Sequence, residues 1–70
     1  MITLAITTPY ITLQQALKMS GFIQSGGTAK AVLGDSGAVV NGQMENRRGR
    51  KLYPGDSVKI FEEIIHIEQS

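Results

Sequence analysis

The stretch Ala38-Val39-Val40-Asn41-Gly42-Gln43-Met44-Glu45-Asn46-Arg47-Arg48-Gly49-Arg50-Lys51 carries the turn that decides the fold and most of the charge that points to a use. Ala38-Val39-Val40 is a β-rich run, and it meets Asn41-Gly42. That dipeptide is favoured in two-residue type I′ hairpin turns because both central residues must take positive φ. Gln43-Met44-Glu45 then supplies the return strand. Asn46 to Arg50 contains no apolar residue able to anchor a buried face, so it reads as an exposed loop.

Working outward toward the C-terminus, Pro54-Gly55 suits positions i+1 and i+2 of a type II turn and launches Val58-Lys59-Ile60 as a strand. Asp56 reads as a turn residue, since Asp hydrogen-bonds its own backbone there. Ile64, Ile65 and Ile67 form a last strand, with Glu62-Glu63 at the corner. Toward the N-terminus, Ser25 is a cap candidate, Ala29, Val32 and Leu33 fall at helical spacing, and Gly34 and Gly37 end the run. This predicts a helix near residues 26–35. Thr12 with Gln15 makes a capping box, Leu13, Ala16 and Leu17 follow the helical period, and Gly21 with Phe22 fits a left-handed C-terminal cap. A first helix near residues 13–20 results, close enough to the second for the two to pack as a pair. Ile2, Leu4 and Ile6 alternate with Thr3, Ala5 and Thr7 as a half-buried strand stopped by Thr8-Pro9. The predicted fold is α+β: two short packed helices against a small antiparallel sheet that includes a β-hairpin.

Seventy residues suffice for one small domain, in which about 60% of the unfolded surface is buried and most of the core is structural. A large enzymatic cleft is not expected. The chain has no Cys and a single His, which excludes a disulfide framework and a thiolate zinc site and leaves poor material for any other structural metal site; no cofactor is expected. Neither a signal peptide nor an apolar run long enough to span a bilayer is present, so the expectation is a soluble cytoplasmic protein.

The net charge of +1 conceals a polarity along the chain. Residues 24–51 carry Lys30, Arg47, Arg48, Arg50 and Lys51 against Asp35 and Glu45, whereas residues 52–70 carry Lys59 against Asp56, Glu62, Glu63 and Glu68. Arg offers planar forked donors to phosphate, and Gly49 allows the tight backbone that splays neighbouring side chains toward one polyanion. A solvated loop kept charged for solubility is the blander alternative. Ser25-Gly26-Gly27-Thr28-Ala29-Lys30 is a second candidate anion site, at a helix N-terminus with free N–H groups, although an ordinary Ser-capped helix has the same look. The stretch from Gly21 to Thr28 nearly matches a P-loop, but Gly27 stands where its Lys belongs and no strand leads into it. His66, alternating with Ile65 and Ile67, reads as a polar-face residue with no Ser or Cys partner nominated by spacing. Of the aromatic residues only Tyr53 adjoins the basic run, which gives little support to base stacking.

Together these stretches resemble the small RNA-binding domain first recognised in ribosomal small-subunit protein S-four, whose αL motif is two short helices followed by a β-hairpin bearing basic residues. The carrying residues are Ile11-Thr12-Leu13-Gln14-Gln15-Ala16-Leu17-Lys18, Gln24-Ser25-Gly26-Gly27-Thr28-Ala29-Lys30, Val39-Val40-Asn41-Gly42 and Gly55-Asp56-Ser57-Val58. The match covers about residues 11–61 of a single domain spanning 1–70. Within the family the chain is most similar to the small stand-alone YaaA-like proteins of bacteria, which share the Ser-Gly-Gly start and the Asn-Arg-Arg-Gly-Arg-Lys-Leu-Tyr run. The resemblance implies RNA binding through the second helix's N-terminus and the hairpin, and nominates Ser25, Lys30, Asn41, Arg47, Arg48, Arg50 and Lys51 as RNA-binding residues. One departure is Gly26, where many members place an Arg.

The expected function is therefore a non-catalytic, monomeric module that contacts structured RNA, ribosomal or transfer RNA by family analogy, with the ribosome itself as a further expected partner. The rival is a protein-interaction adaptor that docks an acidic partner through the Arg loop. Double-stranded DNA is not an expected partner, because neither helix is long or basic enough to read a major groove.

Overall fold

The computed structural model describes residues 1–24, 31–34 and 37–70. Its elements run β1 (Ile2–Ile6), β2 (Ile11–Thr12), α1 (Leu13–Met19), β3 (Ala38–Val40), β4 (Gln43–Glu45), β5 (Lys51–Leu52), β6 (Ser57–Ile60) and β7 (Glu63–Gln69). Residues 31–34 are also helical. The rest of the helix expected near 26–35, with Ser25, Gly26 and Lys30, lies outside the described residues. The architecture is a small α+β fold, as expected.

Local chemistry sets each end of α1. Thr12 Oγ1 accepts from the Gln15 N–H at 3.2 Å while Gln15 Oε1 accepts from the Thr12 N–H at 2.8 Å, a reciprocal capping box. At the other end the Phe22 N–H reaches the Leu17 carbonyl at 2.9 Å and the Gly21 N–H reaches that of Lys18 at 3.1 Å. This Schellman closure needs the positive φ of +86° that Gly21 adopts without steric cost. The face so fixed buries Leu13, Ala16 and Leu17.

The larger sheet has the order β1-β7-β6-β3-β4, and β2 and β5 form a separate two-stranded ribbon. The β3–β4 hairpin pairs Val40 with Gln43 across Asn41 and Gly42, at φ of +51° and +85°, as a type I′ turn requires. Gly55, at φ +98°, occupies the turn position that Pro54-Gly55 predicted. In the β6–β7 hairpin Ile60 pairs with Glu63, so Phe61 and Glu62 form the corner in place of Glu62 and Glu63.

The sheet is mixed, which corrects the expectation of a purely antiparallel one. β1 lies parallel to β7, from Ile2 opposite Ile65 to Ile6 opposite Gln69. Two strands that run the same way need a long crossover, and the whole intervening chain provides it. The Ile6 carbonyl closes the pairing by accepting from the Ser70 N–H at 2.8 Å and from Gln69 Nε2 at 3.1 Å.

One face of the sheet, with Leu4, Ile6, Ala38, Val40, Val58, Ile60, Ile65 and Ile67, joins the apolar face of α1 and Ile23, Leu33, Ile11 and Leu52 in one buried cluster. Among the described residues no helix is long and apolar enough to cross a membrane. Leu17 has no exposed surface, whereas Met44, on the edge strand β4, is 77% exposed. Leu17→Ala should therefore cost about 2–5 kcal/mol in urea unfolding, a large share of a small domain's stability. Met44→Ala should stay within about 0.5 kcal/mol.

Candidate nucleic-acid interface

The basic loop is anchored by the one charged residue that the fold buries among those described, Glu45, which is 7% exposed at the end of β4. A buried carboxylate is tolerated only when its oxygens are saturated by donors. Arg47 supplies Nε to Oε2 at 3.0 Å, Nη2 to Oε1 at 3.0 Å and its own backbone N–H to Oε2 at 3.1 Å. Arg50 adds Nη1 to Oε1 at 3.0 Å. The side-chain bonds from Arg47, then those from Arg50 and the Arg47 N–H, outweigh burial and hold the Glu45 carboxyl down at a pKa of about 2. The same contact raises the Arg47 guanidinium above its ordinary value.

The loop backbone is equally constrained. Arg50 donates its N–H to the Arg47 carbonyl at 3.2 Å, which closes a turn over Gly49. The Arg48 and Arg50 carbonyls accept from the N–H groups of Gln14 and Leu13, at 2.9 and 2.8 Å. These are the first-turn donors of α1 that no helical carbonyl can reach. The loop thus serves as part of the cap of α1, and its side chains are presented from a fixed backbone.

The segment is an exposed loop, as its lack of apolar residues implied, and what holds it is a charge pair in place of an apolar side chain. Two of the nominated cations, Arg47 and Arg50, are ion-paired to Glu45. Arg47 nevertheless keeps 74% of its side chain exposed, and its bonds to Glu45 use two of the five N–H groups of a guanidinium. It can still donate to a second anion.

Arg47, Gly49, Arg50, Lys51, Tyr53 and Asp56 line one open depression. Gly34, Asn46, Arg47, Arg48 and Gly49 line another, which sets the end of the 31–34 helical turn beside the basic loop. The structure therefore gathers Arg47, Arg48, Arg50 and Lys51. Asn41 sits apart at the hairpin turn, where its Nδ2 donates to Asp56 Oδ1 at 3.0 Å and its Oδ1 accepts from the Ser57 N–H at 2.9 Å. Its side chain ties two turns together. Asp56 in turn accepts the Tyr53 N–H at 2.8 Å on Oδ2 and donates its own N–H to the Tyr53 carbonyl at 2.9 Å, the turn role expected of it. Ser25 and Lys30 lie outside the described residues.

Sequence reasoning missed Tyr10. In the β2–β5 ribbon Ile11 lies opposite Leu52 and both are buried, so alternation turns their neighbours Tyr10 and Tyr53 to the other side. Their rings stand 5.7 Å apart, and Lys51 Nζ lies 5.0 Å from the centre of the Tyr10 ring. His66 does have a serine neighbour: Ser57, its cross-strand partner, places Oγ 3.3 Å from Nδ1. That contact follows from strand register.

A chain with this capped helix, type I′ hairpin and pinned basic loop belongs to the S4 domain family, whose pattern matches residues 4–68. A relative from Bacillus subtilis (strain 168), described as a probable ribosome maturation protein, RlbA, is 53% identical over 57 residues. The match covers 81% of this chain and 80% of that protein.

With its folded pKa below the unfolded value, Glu45 stabilises the protein fully above about pH 4.5, and this contribution fades as pH falls toward about 2. Glu45→Gln should be less stable at neutral pH and should lose this part of the acid dependence, which in the native protein approaches about one proton taken up on unfolding. Thermal melts of both proteins between pH 2 and 7 check it.

Proposed function

We propose that this protein is a non-catalytic RNA-binding module, one domain over residues 1–70, that grips the phosphates of structured RNA through the basic loop. The observation that carries the reading is the fixed backbone beneath Arg47, Arg48, Arg50 and Lys51. A loop already held by α1 and Glu45 loses little further freedom on binding, so its cations meet a phosphate array in a preset geometry. Phosphate contacts of this kind position a protein on RNA, and the shape of the RNA supplies the selectivity.

The reading also enlists Ser25 and Lys30, expected from the sequence at the start of a second helix, and Asn41, which is bonded to Asp56 at the edge of the depression. With Gly26 in place of the family's frequent Arg, the grip shifts toward Arg47 and Arg48. Ribosomal RNA is favoured over transfer RNA, since the relative at 53% identity is described as a ribosome maturation protein. The protein works in the cytoplasm as a monomer, without a cofactor.

A salt titration of fluorescence anisotropy with an RNA hairpin tests this. Four or five phosphate contacts predict a log–log slope of about −3 to −5. Arg48→Ala/Lys51→Ala, which leaves the Glu45 bonds in place, should make the slope shallower by about 1.5–2. A slope near zero for the native protein overturns the reading, and capture of a partner from lysate that survives ribonuclease treatment would favour the adaptor instead.

A further inference from the structure

We propose that the outer face of the β2–β5 ribbon, formed by Tyr10, Tyr53 and Lys51, is a stacking site for an unpaired RNA base whose flanking phosphate lies on Arg50 and Lys51. The inference rests on the RNA-binding reading and adds a substrate feature to it: a loop or bulge, as opposed to a continuous duplex.

Four observations converge on this face. Tyr10 and Tyr53 are 37% and 48% exposed, an unusual outlay for two large rings in a protein with so little aromatic content. They are not solitary surface residues, because the ribbon register brings them within 5.7 Å of each other at a tilt of 48°. Such an open angle leaves ring face available to a third planar group. The Tyr53 backbone is clamped on both sides, its N–H by Asp56 Oδ2 at 2.8 Å and its carbonyl by the Asp56 N–H at 2.9 Å, so the exposed ring stands on a rigid base. Finally, Tyr53 lines the same depression as Arg47, Arg50 and Lys51. A ring and a set of phosphate donors within one depression match the two parts of a single nucleotide.

The chemistry favours a base over another planar ligand. Bases stack on aromatic rings whatever their identity, and electrostatic contacts to the backbone accompany that stacking in single-strand sites. Asp56 also lines the depression, but both of its oxygens are occupied, Oδ1 by Asn41 Nδ2 and Oδ2 by the Tyr53 N–H. Its charge is thus partly met before any phosphate arrives. In a fully paired duplex every base is already stacked on its neighbours, so the tyrosines have nothing to receive.

The test uses the full chain with two RNAs of equal length: a hairpin carrying 2-aminopurine at an unpaired loop position, and a blunt duplex carrying it within a pair. The native protein should bind the hairpin more tightly and quench its 2-aminopurine fluorescence. Tyr53→Leu should weaken hairpin binding about 5- to 100-fold and abolish the quench, leaving duplex affinity and the salt slope unchanged. Tyr53→Phe keeps the ring and should behave as the native protein, which separates loss of stacking from loss of fold. Equal affinity for the two RNAs with a normal salt slope overturns the stacking site and leaves phosphate recognition standing, as does an intact quench in Tyr53→Leu. Binding to neither RNA overturns the RNA reading and this site with it.

Discussion

The buried carboxylate of Glu45 is the constraint on which the rest of the surface depends. A type I′ hairpin fixes the register of β4, and that register turns Glu45 inward beside Ala38. A charge placed there must be matched, and the next residues of the chain supply two guanidiniums and a backbone N–H to match it. The loop is therefore shaped by the hairpin: once Asn41 and Gly42 have set the turn, Glu45 points inward, and Arg47 and Arg50 must fold back over it.

A second consequence links this loop to the helix. The carbonyls of Arg48 and Arg50 fall where α1 has unsatisfied N–H groups, so helix cap and basic loop are one structure. The surface offered to a ligand is in this sense part of the folding unit. Arg47 and Arg50 consequently play two parts, and their replacement by Ala leaves Glu45 short of donors. Arg48 and Lys51 make none of the bonds to Glu45, so replacing them leaves that carboxylate matched.

Much of the fold was legible because the decisive signals are local. Asn41-Gly42 demands positive φ, Thr12 and Gln15 complete each other's hydrogen bonds, and Gly21 permits a closure that Phe22 completes; each works within a few residues. The direction of β1 was not legible, because alternation of Ile2, Leu4 and Ile6 encodes which face is buried and not which strand lies alongside. The β2–β5 ribbon escaped for another reason: at two residues per strand it has no period to detect. With it went Tyr10, whose place beside Tyr53 depends on that pairing. In the candidate site the clustering of cations was plain from sequence. The role of Glu45 was not, since a charge count records it as one negative among positives and cannot register its burial.

Pairing Arg47 and Arg50 with Glu45 changes what such a surface can discriminate. Long-range attraction to a polyanion scales with net charge, and Glu45 lowers it at the centre of the loop. The short-range donors survive, because a guanidinium bound to one carboxylate still has N–H groups directed outward. A loop of four unpaired cations on a mobile backbone would hold any phosphate chain nearly equally well. A loop with its charge partly met and its backbone fixed gains most from an anion array that fits its geometry, and loses most from one that does not. In the proposed role, the buried carboxylate therefore shifts recognition from charge toward shape, as a protein that must find one RNA fold among many polyanions requires.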